Sequence, residues 1–288
     1  MTNHPKDEIP SNAKHGALAS STPPPGAAAD WTVPQRWEAF TAEEHRVWDI
    51  LFARQQKLLP GRAVREFQQG LDILHLSRPG IPNLDELNEK LRARTGWTVV
   101  AVPGVVPDDV FFRHLSERRF PAGNFIRRAD QLDYLEEPDV FHDIFGHVPL
   151  LAQPAVADFM VALGKLGLEA LDAAALHRLA RLYWYTVEFG LCREDGETRI
   201  YGAGILSSSG ESVHALDSRL PGRRAFDLRQ VLRTRYVTDA FQQAYFVIDR
   251  FEDVLDLVRR NDLPSLYREL DALPDLDPQA APAERRAA

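Results

Sequence analysis

From Asp30 to Leu273 the chain carries no Pro/Gly/Ser-rich linker and no internal repeat, so whatever it folds into must bury one continuous core. On either side the composition changes. Between Gly16 and Ala29 every residue except Leu18 is Gly, Ala, Ser, Thr or Pro, too little apolar surface to offset the entropy of ordering the chain. The segment from Pro274 to Ala288, with three prolines and paired arginines, reads the same way. The expected organisation is a tail over residues 1–29, one folded unit over 30–273 and a flexible tail over 274–288.

Charge narrows the partners. With 34 Lys+Arg against 42 Asp+Glu the net charge is −8, a surface that repels phosphate backbones and anionic lipid, so neither nucleic acid nor a membrane is an expected partner. The longest uncharged stretches, Thr95 to Pro107 and Ile144 to Ala157, fall short of the roughly 20 residues that span a bilayer. The N-terminus is polar and lacks the apolar core of a secretory signal, and Cys192 is the only cysteine; together these point to a cytoplasmic protein without an intrachain disulfide.

The local signals are mostly helical. Thr41-Ala-Glu-Glu44 is a capping box, followed by Trp48, Leu51, Phe52 and Leu59 at helical spacing and stopped by Pro60-Gly61. Asn83-Leu-Asp-Glu86 opens a second helix with Leu84, Leu87 and Leu91 inward and Gly96 past its end. Pro154 suits a first helical turn ahead of the stripe Val156, Phe159, Met160, Leu163 and Ala170. Asp249-Arg-Phe-Glu252 reads as the cap of a last helix carrying Phe251, Val254, Leu255 and Val258. Strand signals are fewer: Trp97 to Val102 is β-branched, and Leu191 to Ile200 is two short runs joined by Asp195-Gly196, a two-residue hairpin turn. The fold class is mainly α (α+β), a single helical domain with a few short strands. No apolar heptad run follows Leu263, so a monomer is expected.

Residues 138 to 149 read Pro-Asp-Val-Phe-His-Asp-Ile-Phe-Gly-His-Val-Pro, with Val140 and Ile144 giving the segment a buried face. His142 and His147 would lie about 140° apart around an α-helix. Gly146 and Pro149 stand where the helix should loosen, which lets the second imidazole swing toward the first. The pair reads either as two ordinary histidines or as two ligands of one metal. Glu188, on the otherwise apolar stripe with Ala180 and Trp184, is a metal ligand, an ion-pair member or a group at a solvent-facing helix end. Two imidazoles and a carboxylate suit a non-haem Fe(II) centre with open positions. A zincin is disfavoured, because Asp143 rather than Glu follows His142 and the second histidine stands at i+5, not i+4.

Three blocks resemble the pterin-dependent aromatic amino acid hydroxylases, in particular their short bacterial members acting on phenylalanine. Glu137-Pro-Asp-Val-Phe-His142-Asp-Ile-Phe-Gly-His147-Val-Pro is similar to that family's iron motif and Tyr183-Trp-Tyr-Thr-Val-Glu188-Phe-Gly-Leu-Cys192 to its second. Tyr201-Gly-Ala-Gly-Ile-Leu-Ser-Ser208 is similar to the substrate-pocket segment. The resemblance runs from about Trp97 to Glu211. It implies a mainly helical catalytic domain in which His142, His147 and Glu188 bind Fe(II). It also implies tetrahydrobiopterin or a related reduced pterin as cofactor and hydroxylation of L-phenylalanine to L-tyrosine with O2. Phe111 would stack on the pterin, with Gly104, Val106 and Tyr183 around it and Asp143 at its edge through water. Arg127 would clamp the substrate carboxylate, Trp184 and Phe189 would wall the ring, and Ser207 and Ser208 would meet the amino acid. The residues by themselves leave Phe111 readable as core and Arg127 as a surface arginine. Two departures stand out: Leu135-Glu136 where animal members carry Thr-Pro, and Asp143 in place of a glutamate. Asp139, three residues before His142, suits either a bond to that histidine's free ring nitrogen or a helix cap. Tyrosine or tryptophan as the ring substrate is the alternative within the family, and a zinc hydrolase the alternative from another class.

Overall fold

The computed structural model describes residues 22–133, 137–172 and 175–279. The first part of the expected N-terminal tail, residues 280–288 and the departure at Leu135-Glu136 lie outside them.

Helices form where the sequence caps them. In α1 (Ala42–Leu58) the Thr41 hydroxyl accepts from the Glu44 amide at 3.2 Å and the Glu44 carboxylate accepts from the Thr41 amide at 2.7 Å. This helix buries Val47, Trp48 and Leu51. After α2 (Arg65–Ile73), α3 (Leu84–Thr95) is capped by Asn83 and closed by Gly96 at φ 77°. Strand β1 (Thr98–Val102) then pairs in parallel with β2 (Arg119–Gly123), and α4 (Asp108–Ser116) makes the crossover. The short α5 (Val148–Leu151) precedes α6 (Pro154–Asp172), which accepts α4 at backbone distance: a Cβ on Gly167 would stand 2.1 Å from the Phe112 ring.

The second half builds a four-stranded sheet whose strands lie in the order Glu197–Ile200, Leu191–Glu194, Ala244–Ile248 and Gly222–Ala225. After α7 (Leu176–Tyr183) comes the expected hairpin, β3 (Leu191–Glu194) antiparallel to β4 (Glu197–Ile200), with Asp195 and Gly196 at φ 50° and 82°. Helices α8 (Ala203–Leu206) and α9 (Ser209–Asp217) follow, then β5 (Gly222–Ala225), α10 (Leu228–Val231) and β6 (Ala244–Ile248). The chain is mainly helical, as its patterning indicates, and no single helix among the described residues is long and apolar enough to cross a membrane.

Three expectations need correcting. Asp249 does not cap the next helix: α11 (Phe251–Arg260) begins after Arg250 with no side-chain cap, and Asp249 sits in the turn leaving β6, within 3.4 Å of Arg193. Nor is α11 the last helix, because Asp262 caps α12 (Leu263–Asp271) by accepting from the Ser265 amide. The segment from Pro274, expected as tail, is docked as far as it is described. Leu276 exchanges backbone hydrogen bonds with Arg233 and Arg235 at 2.7 and 3.0 Å, and Asp275 pairs with the buried Arg181 at 2.7 Å. Composition misses this because a handful of specific bonds, rather than apolar area, holds the segment.

Candidate active site

Among the described residues two segments are wound more widely than an α-helix, and they carry the three candidate ligands. Phe141–His147 and Trp184–Glu188 are π-helical, the second closed by the Phe189 amide donating to the Trp184 carbonyl at 2.8 Å. Bonding five residues back widens the turn and brings residues five apart toward one face. His142 and His147 therefore converge through the winding of the whole segment, not through the swing of a loosened helix end. Behind them lies an aromatic stack, with Phe141 on Phe145 at 4.8 Å and Trp48 edge-on to Phe141 at 5.2 Å.

The Nε2 atoms of His142 and His147 lie 3.3 Å apart, and Glu188 Oε1 stands 3.2 Å from His147 Nε2 and 3.6 Å from His142 Nε2. All three ligand atoms fall within 4.8 Å of one another. Of the open readings of Glu188, a solvent-facing helix end is excluded, since the residue is buried. Burial alone raises its carboxyl, but the facing imidazoles of His147 and His142 outweigh this and hold it well below the usual range. Its Oε2 is buried without a partner. Ser207 selects the tautomer of His142. The hydroxyl donates to the Ala203 carbonyl at 2.8 Å, so it accepts at 2.9 Å from His142 Nδ1–H and leaves the Nε2 lone pair aimed at the cluster. The backbone behind Glu188 is closely packed, since a Cβ on Gly202 would lie 2.5 Å from the Glu188 carbonyl.

The cluster forms the floor of a cavity of about 470 Å³. The residues that the resemblance assigns to pterin, Gly104, Val106, Phe111, Asp143 and Tyr183, and to substrate, Arg127, Trp184, Phe189, Ser207 and Ser208, all line it, whereas Asp139 does not. Phe111 is both wall and core, 6% exposed and edge-on to Tyr183 at 5.7 Å. Asp143 accepts from the Gly123 amide at 2.8 Å, and burial pushes its carboxyl up to about 7. Arg127 is no solvated arginine. It is 9% exposed, with Nε and Nη2 at 2.8 and 2.9 Å from the two Asp139 oxygens. Burial would raise the Asp139 carboxyl, and Arg127 outweighs it, holding the group ionised. Asp139 takes the backbone role, accepting from the His142 amide at 3.0 Å, while Ser207 serves the ring nitrogen. Ser208 caps α9 by accepting from the Glu211 amide at 3.2 Å.

Sequence reasoning missed the cavity's far rim. Arg54 and Asp133 pair there, and Thr238 to Gln242 line it from a segment without regular structure. Such a segment has no periodicity to read, and no local spacing pairs Gln242 with Trp184.

The chain matches a family model described as biopterin-dependent aromatic amino acid hydroxylase over residues 33–270. It is 55% identical over 257 residues to phenylalanine-4-hydroxylase of Caulobacter vibrioides, covering 89% of this chain and 87% of that protein. Two crystal structures of phenylalanine hydroxylase from Chromobacterium violaceum share its fold. The one with bound iron(III) and oxidised cofactor 7,8-dihydrobiopterin matches with a TM-score of 0.85 at 51% identity over 89% of this chain and 92% of that one. The one bound to iron and phenylalanine matches with a TM-score of 0.85 at 49% identity over 89% and 93%.

Proposed function

The chain belongs to the biopterin-dependent aromatic amino acid hydroxylases, and on that premise we propose that it is a phenylalanine 4-monooxygenase, converting L-phenylalanine to L-tyrosine with O2 and a reduced pterin. Iron and dihydrobiopterin in one related structure and iron and phenylalanine in another support this reading. The observation that carries it is the convergence of His142, His147 and Glu188 beneath an aromatic-walled cavity. Two neutral imidazoles and one carboxylate fit Fe(II) and leave coordination positions open. The unpartnered Glu188 Oε2 and the lone pair that Ser207 exposes on His142 both suit a cation.

When bound, Fe(II) and tetrahydrobiopterin supply the electrons that cleave O2. The protein's part is orientation and exclusion of water. Phe111 and Tyr183 offer aromatic faces to the pterin, Gly104 and Val106 shape its seat, and Asp143 meets its polar edge. Trp184 and Phe189 fix the substrate ring over the floor. Arg127 takes the α-carboxylate: Asp139 occupies Nε and Nη2, which sets the guanidinium plane and leaves Nη1 for the substrate. Ser207 acts on the substrate side through His142, and Ser208 shapes the same wall. Residues 30–273, with the docked stretch 274–279, form the catalytic unit, working as a cytoplasmic monomer, and light scattering at the single-chain mass is the test of that state.

The deciding assay uses protein loaded anaerobically with Fe(II) and given tetrahydropterin, O2 and each of phenylalanine, tyrosine and tryptophan. Tyrosine formed from phenylalanine in step with pterin oxidation is the expected result. Faster turnover of another ring moves the assignment within the family, and firmly held zinc with hydrolysis but no hydroxylation replaces it.

A further inference from the structure

Gln242 bonds to several parts of the cavity wall, yet the chemistry above gives it no task. It is 2% exposed. Its side-chain Oε1 accepts the indole N–H of Trp184 at 2.9 Å, and its Nε2 donates to the Val237 carbonyl at 2.8 Å. Its backbone N–H donates to Glu211 Oε1 at 3.1 Å, and its carbonyl lies 3.0 Å from His214 Nε2. Glu211 in turn accepts from the Tyr245 hydroxyl. One amide side chain thus bridges the π-helical segment that ends in Glu188 and the rim segment from Val237 to Phe241.

Both partners depend on that bridge. The Trp184 ring lies between Tyr236, stacked at 4.3 Å, and Phe189 at 4.7 Å. Stacking sets the ring plane but resists sliding within it only weakly; an in-plane N–H bond fixes the remaining freedom. The rim segment has no strand or helix of its own, and Phe241 within it is 52% exposed against the His214 ring at 5.0 Å. Buried hydrogen bonds from Gln242 anchor it where regular structure does not.

We infer that Gln242 is a positioning residue for the aromatic substrate, latching the Trp184 wall to the 237–241 rim so that both hold one geometry over the floor. The choice of substrate rests on the hydroxylase reading above; the latch does not. With the latch broken, the substrate ring samples poses that do not react. Two electrons and two protons then pass from tetrahydropterin to O2, releasing hydrogen peroxide in place of tyrosine.

The test compares Gln242→Leu, which removes acceptor and donor together, with Gln242→Glu, which keeps an oxygen for the indole and loses the donor to Val237. Gln242→Leu should raise the KM for phenylalanine about tenfold, the effect of one buried neutral hydrogen bond. It should lower the ratio of tyrosine formed to pterin oxidised, while iron content and the KM for pterin stay within about twofold. Amide hydrogen exchange across 237–241 should quicken by a similar factor. Gln242→Glu should fall between this variant and wild type, and it carries the test if Gln242→Leu does not fold. Adding Gln242→Leu to Trp184→Phe should cost little more than Trp184→Phe alone. Wild-type KM, coupling and exchange in Gln242→Leu would overturn the inference. So would a parallel fall of every kinetic constant with Tm, the mark of a merely structural residue. If wild type makes no tyrosine from phenylalanine, the functional reading fails while hydrogen exchange still decides the latch.

Discussion

At the floor of the cavity His142, His147 and Glu188 project from two π-helical segments packed on buried rings and on glycine backbone. At its mouth Arg54 and Asp133 pair with side chains 40% and 88% exposed, and Thr238 to Phe241 run without regular structure. The floor is over-determined: π-helical winding sets the approach of His142 to His147, glycine backbone packs behind Glu188, and Ser207 holds the His142 ring. Single interactions hold the mouth, and those near solvent contribute little each. A metal needs fixed donors whatever the ring above it, while the part that admits and selects the ring can be built from replaceable contacts.

Breaking the floor should give the largest effect. His142→Ala, His147→Ala or Glu188→Ala should each abolish stoichiometric iron and cut turnover by more than about a hundredfold, exceeding what loss of an outer partner costs. Helical circular dichroism should hardly change. Gly202→Ala should do the same without touching a ligand side chain, because the new Cβ would stand 2.4 Å from the Gly190 amide and 2.5 Å from the Glu188 carbonyl, backbone that cannot yield. Full iron in Gly202→Ala would show that the floor adapts after all.

Much of the floor was legible because its chemistry is local: His142, His147 and Glu188 stand out as polar groups on apolar stripes. The cause of their convergence is not legible, because a period of 3.6 residues per turn sets the two histidines far apart on the helix and a π-helix changes that period. Thr41, Asn83 and Asp195-Gly196 gave correct boundaries since caps and hairpin turns are decided within four residues. The mouth stayed hidden because its pairs, Arg54 with Asp133 and Trp184 with Gln242, are separated by 79 and 58 positions. Asp139 illustrates both limits. Its helix-capping bond to His142 was among the alternatives, but its grip on Arg127 was not.

Arg127 stands between the two regions. Arg127→Lys keeps the charge and loses the fork, so kcat/KM for phenylalanine should fall roughly ten- to hundred-fold with pterin affinity nearly constant. Iron content measured on the same variant sharpens the comparison. Because Asp139 also accepts from the His142 amide, lost iron would place Arg127 with the floor, and retained iron with the mouth. Kinetic constants equal to wild type would remove it from substrate binding.

Phe111 and Phe112 are neighbours on α4 with different tasks. Phe111→Ala should raise the KM for pterin by about tenfold and that for phenylalanine less, since stacking contributes through ring area. Phe112 faces Gly167 on α6 instead, so Phe112→Ala should cost about 3 kcal/mol of stability with both KM values preserved. If Phe111→Ala behaves like Phe112→Ala, the ring is core and not part of the pterin seat.

The smallest effect tests whether the floor can be reached from outside. Helix α7 runs directly into the segment bearing Glu188, and its far side is clamped by Arg181 to Asp275 and by Arg178 to Asp271, each at 2.7 Å. Hydrogen bonding from Arg181 holds the Asp275 carboxyl below its ordinary value. A depressed carboxyl stabilises the fold above the unfolded value of about 3.9 and loses that contribution as pH falls through the folded value. Because Asp275 is 42% exposed, solvent screening limits the pair to about 1 kcal/mol, or roughly 2–4 °C in Tm. The Tm gap between wild type and Asp275→Asn should therefore be full at pH 7 and close on acidification below about pH 4. A gap that widened in acid would show that Asp275 is destabilising when ionised. Iron affinity should be unchanged throughout, because the winding, the glycine contacts and Ser207 fix the ligands locally. An Asp275→Asn variant that loses iron would show that α7 transmits the clamp to the floor.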